Sequence, residues 1–339
     1  MPAAPKKPTI VDVAKAAGVS VSVVSRVLMG QGYVLAAKRD KILSTMRELD
    51  YHPSPLAKGL RDRRTNTIGI LFFWLRAPVL PDYYQREIIA GILDGCVTED
   101  YQMLVNNFVG ELSDLENAKY QCQRIIKDPR VEGVIVINPP LPLMEVFHKA
   151  PERCVLVNRQ EAEMSFADGD QAAAMRAMVA YLAAKGNRRI GLLGGNPAKD
   201  GSDQQRRAGY REGLKAQGLD FDPELVWNGT YTFESGLEGA RHLLGLRRLP
   251  TAIIASSDRM ALGALDLIRQ LPSSRQIAVT GFDDIPEASL ESNSLTTMRQ
   301  PLYEIGRAAA EIMIKREGKP SKKPVQVLLP MELILRKSA

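Results

Sequence analysis

Histidine and cysteine are scarce in this chain, three of each in 339 residues. His52, His148 and His242 stand at no ligand spacing, with no CxxC, HxxxH or HExxH, so no metal site is expected. Cys96, Cys122 and Cys154 are odd in number and lie in apolar or helical contexts, which reads as reduced, buried thiols of a cytoplasmic protein. No run of about 18 apolar residues occurs, so no membrane-spanning helix is expected. The opening MPAAPKKPT lacks the apolar stretch of a signal peptide, and export is not expected either. Nucleotide motifs are missing too. RIGLLGGNPAKDG places glycines after an apolar run, yet it is neither GxGxxG nor GxxxxGK[ST] and reads as a strand-to-helix turn. No cofactor and no catalytic constellation follow from the residues.

Charge is present and unevenly placed. The first 64 residues hold twelve Lys and Arg against five Asp and Glu, a net of +7 in a chain whose total is +6. Basicity concentrated in the first fifth is where phosphate neutralisation would need it. Residues 9–28, TIVDVAKAAGVSVSVVSRVL, read as two short helices around Gly18, a helix-turn-helix for the DNA major groove. Thr9 and Asp12 form a capping-box start, and Ser20 caps the second helix. In that helix Val24, Val27 and Leu28 can turn inward while Ser22, Ser25, Arg26 and Met29 share the opposite face. An ordinary amphipathic pair with solvated Ser and Arg would show the same spacing. A third helix over 36–49 sets Ile42, Leu43, Met46 and Leu49 on one stripe. In YHPSPLAKGL, Ser54 and Pro55 open a helix too short to stand alone, so the segment should order only when held.

From Thr67 onward apolar runs alternate with helical patterns, as buried parallel strands with crossover helices do. Two such series make two α/β subdomains. Ligands of open parallel sheets bind at the carboxyl ends of strands, which singles out Phe73, Trp74, Asn158, Arg159, Asp283 and Asp284.

The chain resembles the lactose-repressor or LacI/GalR family of bacterial transcription regulators. The resemblance spans nearly its full length and rests on DVAKAAGVSVSVVSRVL, YHPSPLAKGL, RRAGYREGL and SSDRMALGA with VTGFDD. It implies a helix-turn-helix headpiece over 1–52, a hinge helix and linker over 53–66, and a periplasmic-binding-protein-like core over 67–339. That core would hold two doubly wound parallel-sheet subdomains, 67–161 with 294–322 and 162–293 with 323–339, joined by three crossings. The resemblance also implies an operator-reading helix carrying Ser20, Val21, Ser22, Ser25 and Arg26, with Thr9 beside it. Arg26 would pair with a guanine, and Val21 would meet a thymine methyl or pack in the core. Tyr51, Ser54, Ala57 and Leu60 match the hinge, where a leucine wedges into the minor groove or simply packs in the linker. Two departures stand out: Ser54 replaces the usual Asn, and Leu35 replaces the usual cap of the third helix.

For the effector, the resemblance points to a sugar or sugar derivative between the subdomains, contacted by Arg206, Asp283 and Asn158, with Trp74 or Tyr231 stacking. Asp258 stands between a ligand contact and a structural role, and Asp170 reads as a helix cap. Ser257 replaces an Asn and is too short for the same direct contact. Arg159 fits either a sugar acid or phosphate, or a salt bridge across the cleft. The partners implied are a pseudo-palindromic DNA operator, the small effector and a second copy of the chain. The ending LILRKSA shows no heptad tail for a coiled-coil tetramer. Ligand would weaken operator binding, or in the reverse arrangement act as a corepressor.

Overall fold

The computed structural model describes residues 8–29, 32–51, 65–73, 82–107, 114–196, 200–272, 277–316 and 323–339. It divides into two compact units, Met1–Thr65 and Asn66–Ala339.

Three helices build the first unit: α1 (Ile10–Ala17), α2 (Val21–Met29) and α3 (Ala36–Glu48). Thr9 starts α1 with a reciprocal cap, its N–H donating to Asp12 Oδ2 at 2.8 Å while Asp12 N–H donates to Thr9 Oγ1 at 3.4 Å. Gly18 ends the helix at φ 71°, left-handed backbone that a residue without Cβ adopts freely. Val13, Ala14, Ala17, Val24, Val27 and Ile42 form the shared core. As its residue type implies, Leu35 gives α3 no side-chain cap. The expected stripe along α3 is corrected at one position: Leu43 is 38% exposed and Thr45 is buried instead. Ile42 and Thr45 lie three residues apart on one face, and the Thr45 hydroxyl donates to the Lys41 carbonyl at 2.8 Å.

Two six-stranded sheets make up the second unit. The first contains β1 (Thr67–Phe72), β2 (Gln102–Asn107), β3 (Gly133–Ile137), β4 (Cys154–Val157), β5 (Ser165–Gly169) and β11 (Gln326–Leu329), ordered β11-β5-β4-β3-β1-β2 and parallel throughout. The second contains β6 (Ile190–Gly194), β7 (Val226–Asn228), β8 (Ala252–Ala255), β9 (Ala278–Asp283), β10 (Thr296–Arg299) and β12 (Glu332–Ile334), ordered β12-β10-β9-β8-β6-β7. Only β12 runs antiparallel, against β10. Central strands such as GVIVI and AIIA are buried at every residue because helices cover both faces. Helices α4 (Tyr83–Thr98) and α11 (Leu302–Lys315) cross closely over the first sheet. A Cβ on Gly91 would overlap the Tyr303 carbonyl, and one on Gly306 would overlap that of Ile88.

The subdomain boundaries differ from those expected. Strands 165–169 and 326–329 join the first sheet, and 296–299 joins the second. The chain therefore crosses after β5, after β10 and between β11 and β12. The second of these crossings runs through Gln300 and Pro301. Each crossing follows a strand end, and apolar patterning does not say to which sheet a buried strand belongs.

Candidate functional site

In the first unit, α2 presents Val21, Ser22 and Arg26 outward while Val24 and Val27 face the core. Val21 is 40% exposed and so offers an apolar contact at the surface. The Ser20 and Ser22 hydroxyls share a hydrogen bond of 2.8 Å at the start of the helix. Ser25 is buried, which corrects its expected place on the outward face. It stands three residues before half-buried Leu28, at the edge of the core stripe, and packing takes it inside. Tyr51 is half-buried against the same core, its N–H donating to the Met46 carbonyl at 2.8 Å. The Thr9 hydroxyl is occupied by Asp12 at 2.7 Å.

In the second unit, the strands of both sheets end at a cleft. Asn138 and Asn158, just beyond β3 and β4, take φ 54° and 60°, and Asp283 and Asp284, at the end of β9, take φ 114° and 56°. Short polar side chains tolerate this backbone better than apolar ones. Arg206, on α8 (Gly201–Ala216), is only 4% exposed. Its guanidinium lies 4.3 Å over the Phe282 ring, donates through Nη1 to the Ser256 carbonyl at 2.6 Å and through Nε to Gln171 Oε1 at 2.8 Å. A guanidinium only donates, so the Gln171 amide has one orientation. Its nitrogen faces Asp168 Oδ1 at 3.2 Å and Gln300 Oε1 at 3.1 Å. The Gln300 nitrogen in turn reaches Asp283 Oδ1 at 2.6 Å, and Gln160 Nε2 reaches Asp168 Oδ2 at 3.1 Å. This relay joins the two sheets through two of the three crossings.

Burial sets the electrostatics of the relay. It pushes the Asp168 carboxyl up to about 6 against the bonds from Gln171, Gln160 and Gly169. Asp283 is pushed up to about 7, again by burial, with Arg206 and Gln300 opposing. Other bonds tie the cleft walls directly: Ser202 Oγ donates to the Asn158 carbonyl at 3.0 Å, and Arg259 Nε lies 4.0 Å from Asp82 Oδ2. Among the described residues, four buried polar atoms beside the cleft have no hydrogen-bond partner: Tyr84 OH, Asn158 Oδ1, Arg159 Nη1 and Ser256 Oγ. Groups of this kind are what a polar ligand satisfies.

Residues 9–54 match the bacterial regulatory proteins of the lacI family, and residues 179–339 match a periplasmic binding protein-like domain. The chain is 30% identical over 337 residues to the HTH-type transcriptional regulator RegA of Clostridium saccharobutylicum, covering 97% of this chain and 98% of that one. It belongs to the LacI family. The HTH-type transcriptional repressor CytR of Escherichia coli is also 30% identical, over 97% of this chain and 96% of its own. Among solved structures, the lac repressor dimer bound to operator and the anti-inducer ONPF superposes with a TM-score of 0.84 at 26% identity, covering 98% and 99% of the two chains. These relatives are transcriptional regulators, and this LacI-family chain is a DNA-binding regulator with the same fold.

Asn158 and Asp283, singled out at strand ends, lie near Arg206 and Tyr231, which the resemblance pointed to. Tyr231, left-handed at φ 63°, donates its hydroxyl to Asp200, the N-cap of α8. Other expectations are corrected. Phe73 is 7% exposed and packs edge-on to Phe147 at 6.0 Å, inside the first subdomain's core. Asp258 is fully buried at the start of α10 (Asp258–Ile268), accepting from Ile285 N–H at 2.9 Å and the Thr297 hydroxyl at 2.5 Å. Both its oxygens serve the second subdomain itself. Ser257 caps α10 by accepting from Met260 N–H at 3.2 Å, so its hydroxyl has a structural task. Arg159 pairs with Glu161, two residues on, rather than across the cleft, with Nη2 and Nε 2.8 and 2.9 Å from Oε1. Asp170, by contrast, is the helix cap it was expected to be, accepting from Ala173 N–H at 2.9 Å at the start of α7 (Gln171–Ala184). Ser54, Ala57, Leu60 and Trp74 lie outside the described residues. Sequence reasoning missed Tyr84, Asp168, Gln171 and Gln300. The last three sit at or just after strand ends, where the rule of carboxyl-end ligands would have found them.

Proposed function

We propose that this regulator is a cytoplasmic, homodimeric repressor whose grip on a pseudo-palindromic operator is weakened by a small polyhydroxylated effector. The effector would sit between the α/β subdomains. In the headpiece, Arg26 reads a guanine, Val21 and Ser22 set the neighbouring base preference, and Thr9, Ser20 and Tyr51 lie close to the sugar-phosphate backbone. In the cleft, Arg206, Asp283 and Asn158 bind hydroxyls and Tyr231 supplies an aromatic wall. Binding alone is its activity, without turnover of the ligand. Names of relatives support a carbohydrate effector: one is a ribose operon repressor of Haemophilus influenzae, and a solved neighbour is a CelR complex with cellobiose.

The observation that carries this reading is the buried relay from Asp168 through Gln171 and Gln300 to Asp283. It ties two of the proposed ligand groups, Arg206 and Asp283, to Gln171 and Gln300 on segments that link the subdomains, which supports the reading. A ligand that prefers one subdomain arrangement shifts the protein toward it, and one that binds both equally shifts nothing. The test is selection of duplexes from a random pool by the purified protein, repeated with a sugar panel. A recovered palindrome whose binding weakens when one sugar is added is the expected result. Failure to prefer any palindrome over random competitor would reject the reading.

A further inference from the structure

Two arginines are buried in the cleft, Arg206 and Arg159. Arg206 faces Asp168, Asp200 and Asp283, and it already donates to Gln171 and Ser256. Arg159 is 5% exposed, and its side chain lies against Gly201, the first residue of α8 in the opposite subdomain. It is therefore placed between the two walls, where it could meet an anion. Glu161 prevents this. Its Oε1 accepts from both Nε and Nη2, leaving Nη1 buried without a protein acceptor. Glu161 is itself 23% exposed in its side chain, and His148 Nε2 lies 3.7 Å from its Oε2. Among the described residues the cleft thus presents more carboxyl groups than unpaired cations.

We propose that Glu161 masks Arg159, so that the cleft accepts an uncharged polyhydroxylated ligand and rejects its phosphorylated or carboxylated counterpart. This rests on the reading of the cleft as the effector site. A phosphate or carboxylate brought here would lose its hydration and meet Asp168, Asp200 and Asp283 with one shared guanidinium. A hydroxylated ring brings donors for Asn158 Oδ1 and the carboxyls, and acceptors for Arg159 Nη1, Tyr84 and Ser256. Tyr84 adds a second mark of this arrangement. Its buried phenol has no hydrogen-bond partner among the described residues, so Tyr84→Phe breaks no described hydrogen bond of the ligand-free protein.

The experiment compares matched pairs by calorimetry on the full-length protein: ribose with ribose 5-phosphate, glucose with glucose 6-phosphate, galactose with galacturonate, and adenosine with its monophosphate. The uncharged member that binds should do so at least tenfold more tightly than its anionic partner. In Glu161→Gln, assayed well below its melting temperature, the preference should shrink by about tenfold because the guanidinium is released. Tyr84→Phe should keep the ligand-free melting temperature and weaken the same ligand severalfold. An anionic member that binds as tightly as its neutral partner overturns the masking proposal and leaves the regulator reading standing. An unchanged preference in Glu161→Gln overturns the role of Glu161. If no pair binds at all while a palindrome is still selected, the sugar-effector reading fails and the proposal with it.

Discussion

In the proposed reading Arg26 and Asp283 divide recognition between them, one at a groove and one in a cleft. Arg26 is exposed on α2 and is not part of the described headpiece core. Arg26→Ala should remove about 1–3 kcal/mol of discrimination at one base while leaving ligand affinity unchanged, measured by fluorescence anisotropy against single-base operator variants. Asp283 gives a pH signature. Its folded carboxyl titrates at about 7, whereas an unfolded Asp titrates at about 4. The folded state therefore binds the proton more tightly, and stability falls as pH rises from about 4 to about 7. Asp168, raised to about 6, acts with the same sign. The melting temperature of the wild type should drop more between pH 5 and pH 7.5 than that of Asp283→Asn. Equal drops would show that Asp283 is not the group responsible. The positions of Arg26, Arg206 and Asp283 were legible in the sequence because they sit at a motif or a strand end. Ser25 and Phe73 were not, since helical spacing and strand ends mark candidates without showing which way packing turns them.

Helix ends and helix contacts decide local stability at the element scale. Leu35 leaves α3 uncapped. Leu35→Ser should raise headpiece stability by about 0.5–2 kcal/mol, visible as a later unfolding transition in the full chain, and no change would mean that a backbone or solvent partner already serves the helix end. Ser257→Ala should do the reverse for α10 by a similar amount. The contact of α4 with α11 is stricter. Gly91→Ala must push the Tyr303 backbone away and should lower the melting temperature of the core more than either cap change. Caps were readable because Ser, Thr and Asp precede apolar periodic runs. The close helix crossing was not, because a glycine in a helical pattern gives no sign of the backbone it meets.

Charge distribution separates the two activities across the whole molecule. The net +7 of the first 64 residues against a near-neutral remainder makes operator binding strongly salt-dependent. Affinity for the operator should fall by about 10³-fold or more between 50 and 200 mM salt if the dimer neutralises some 6–10 phosphates. Binding of an uncharged effector should change little over the same range. Parallel losses in both titrations would count against a neutral ligand.

The sequence by itself determined the elements, the three-helix reader and the alternating α/β core, because periodicity, caps and turn residues act within a few positions of each other. It also marked strand ends such as those at Asn158 and Asp283, where the proposed ligand sits. Only the tertiary structure decided which sheet each buried strand joins, that Glu161 claims Arg159, and that Gln171 and Gln300 bridge Arg206 to two carboxyl groups. Sheet membership and the glutamine bridges depend on atoms brought together from distant parts of the chain, and the Arg159 pairing on a loop conformation; none of these leaves a periodic trace along it.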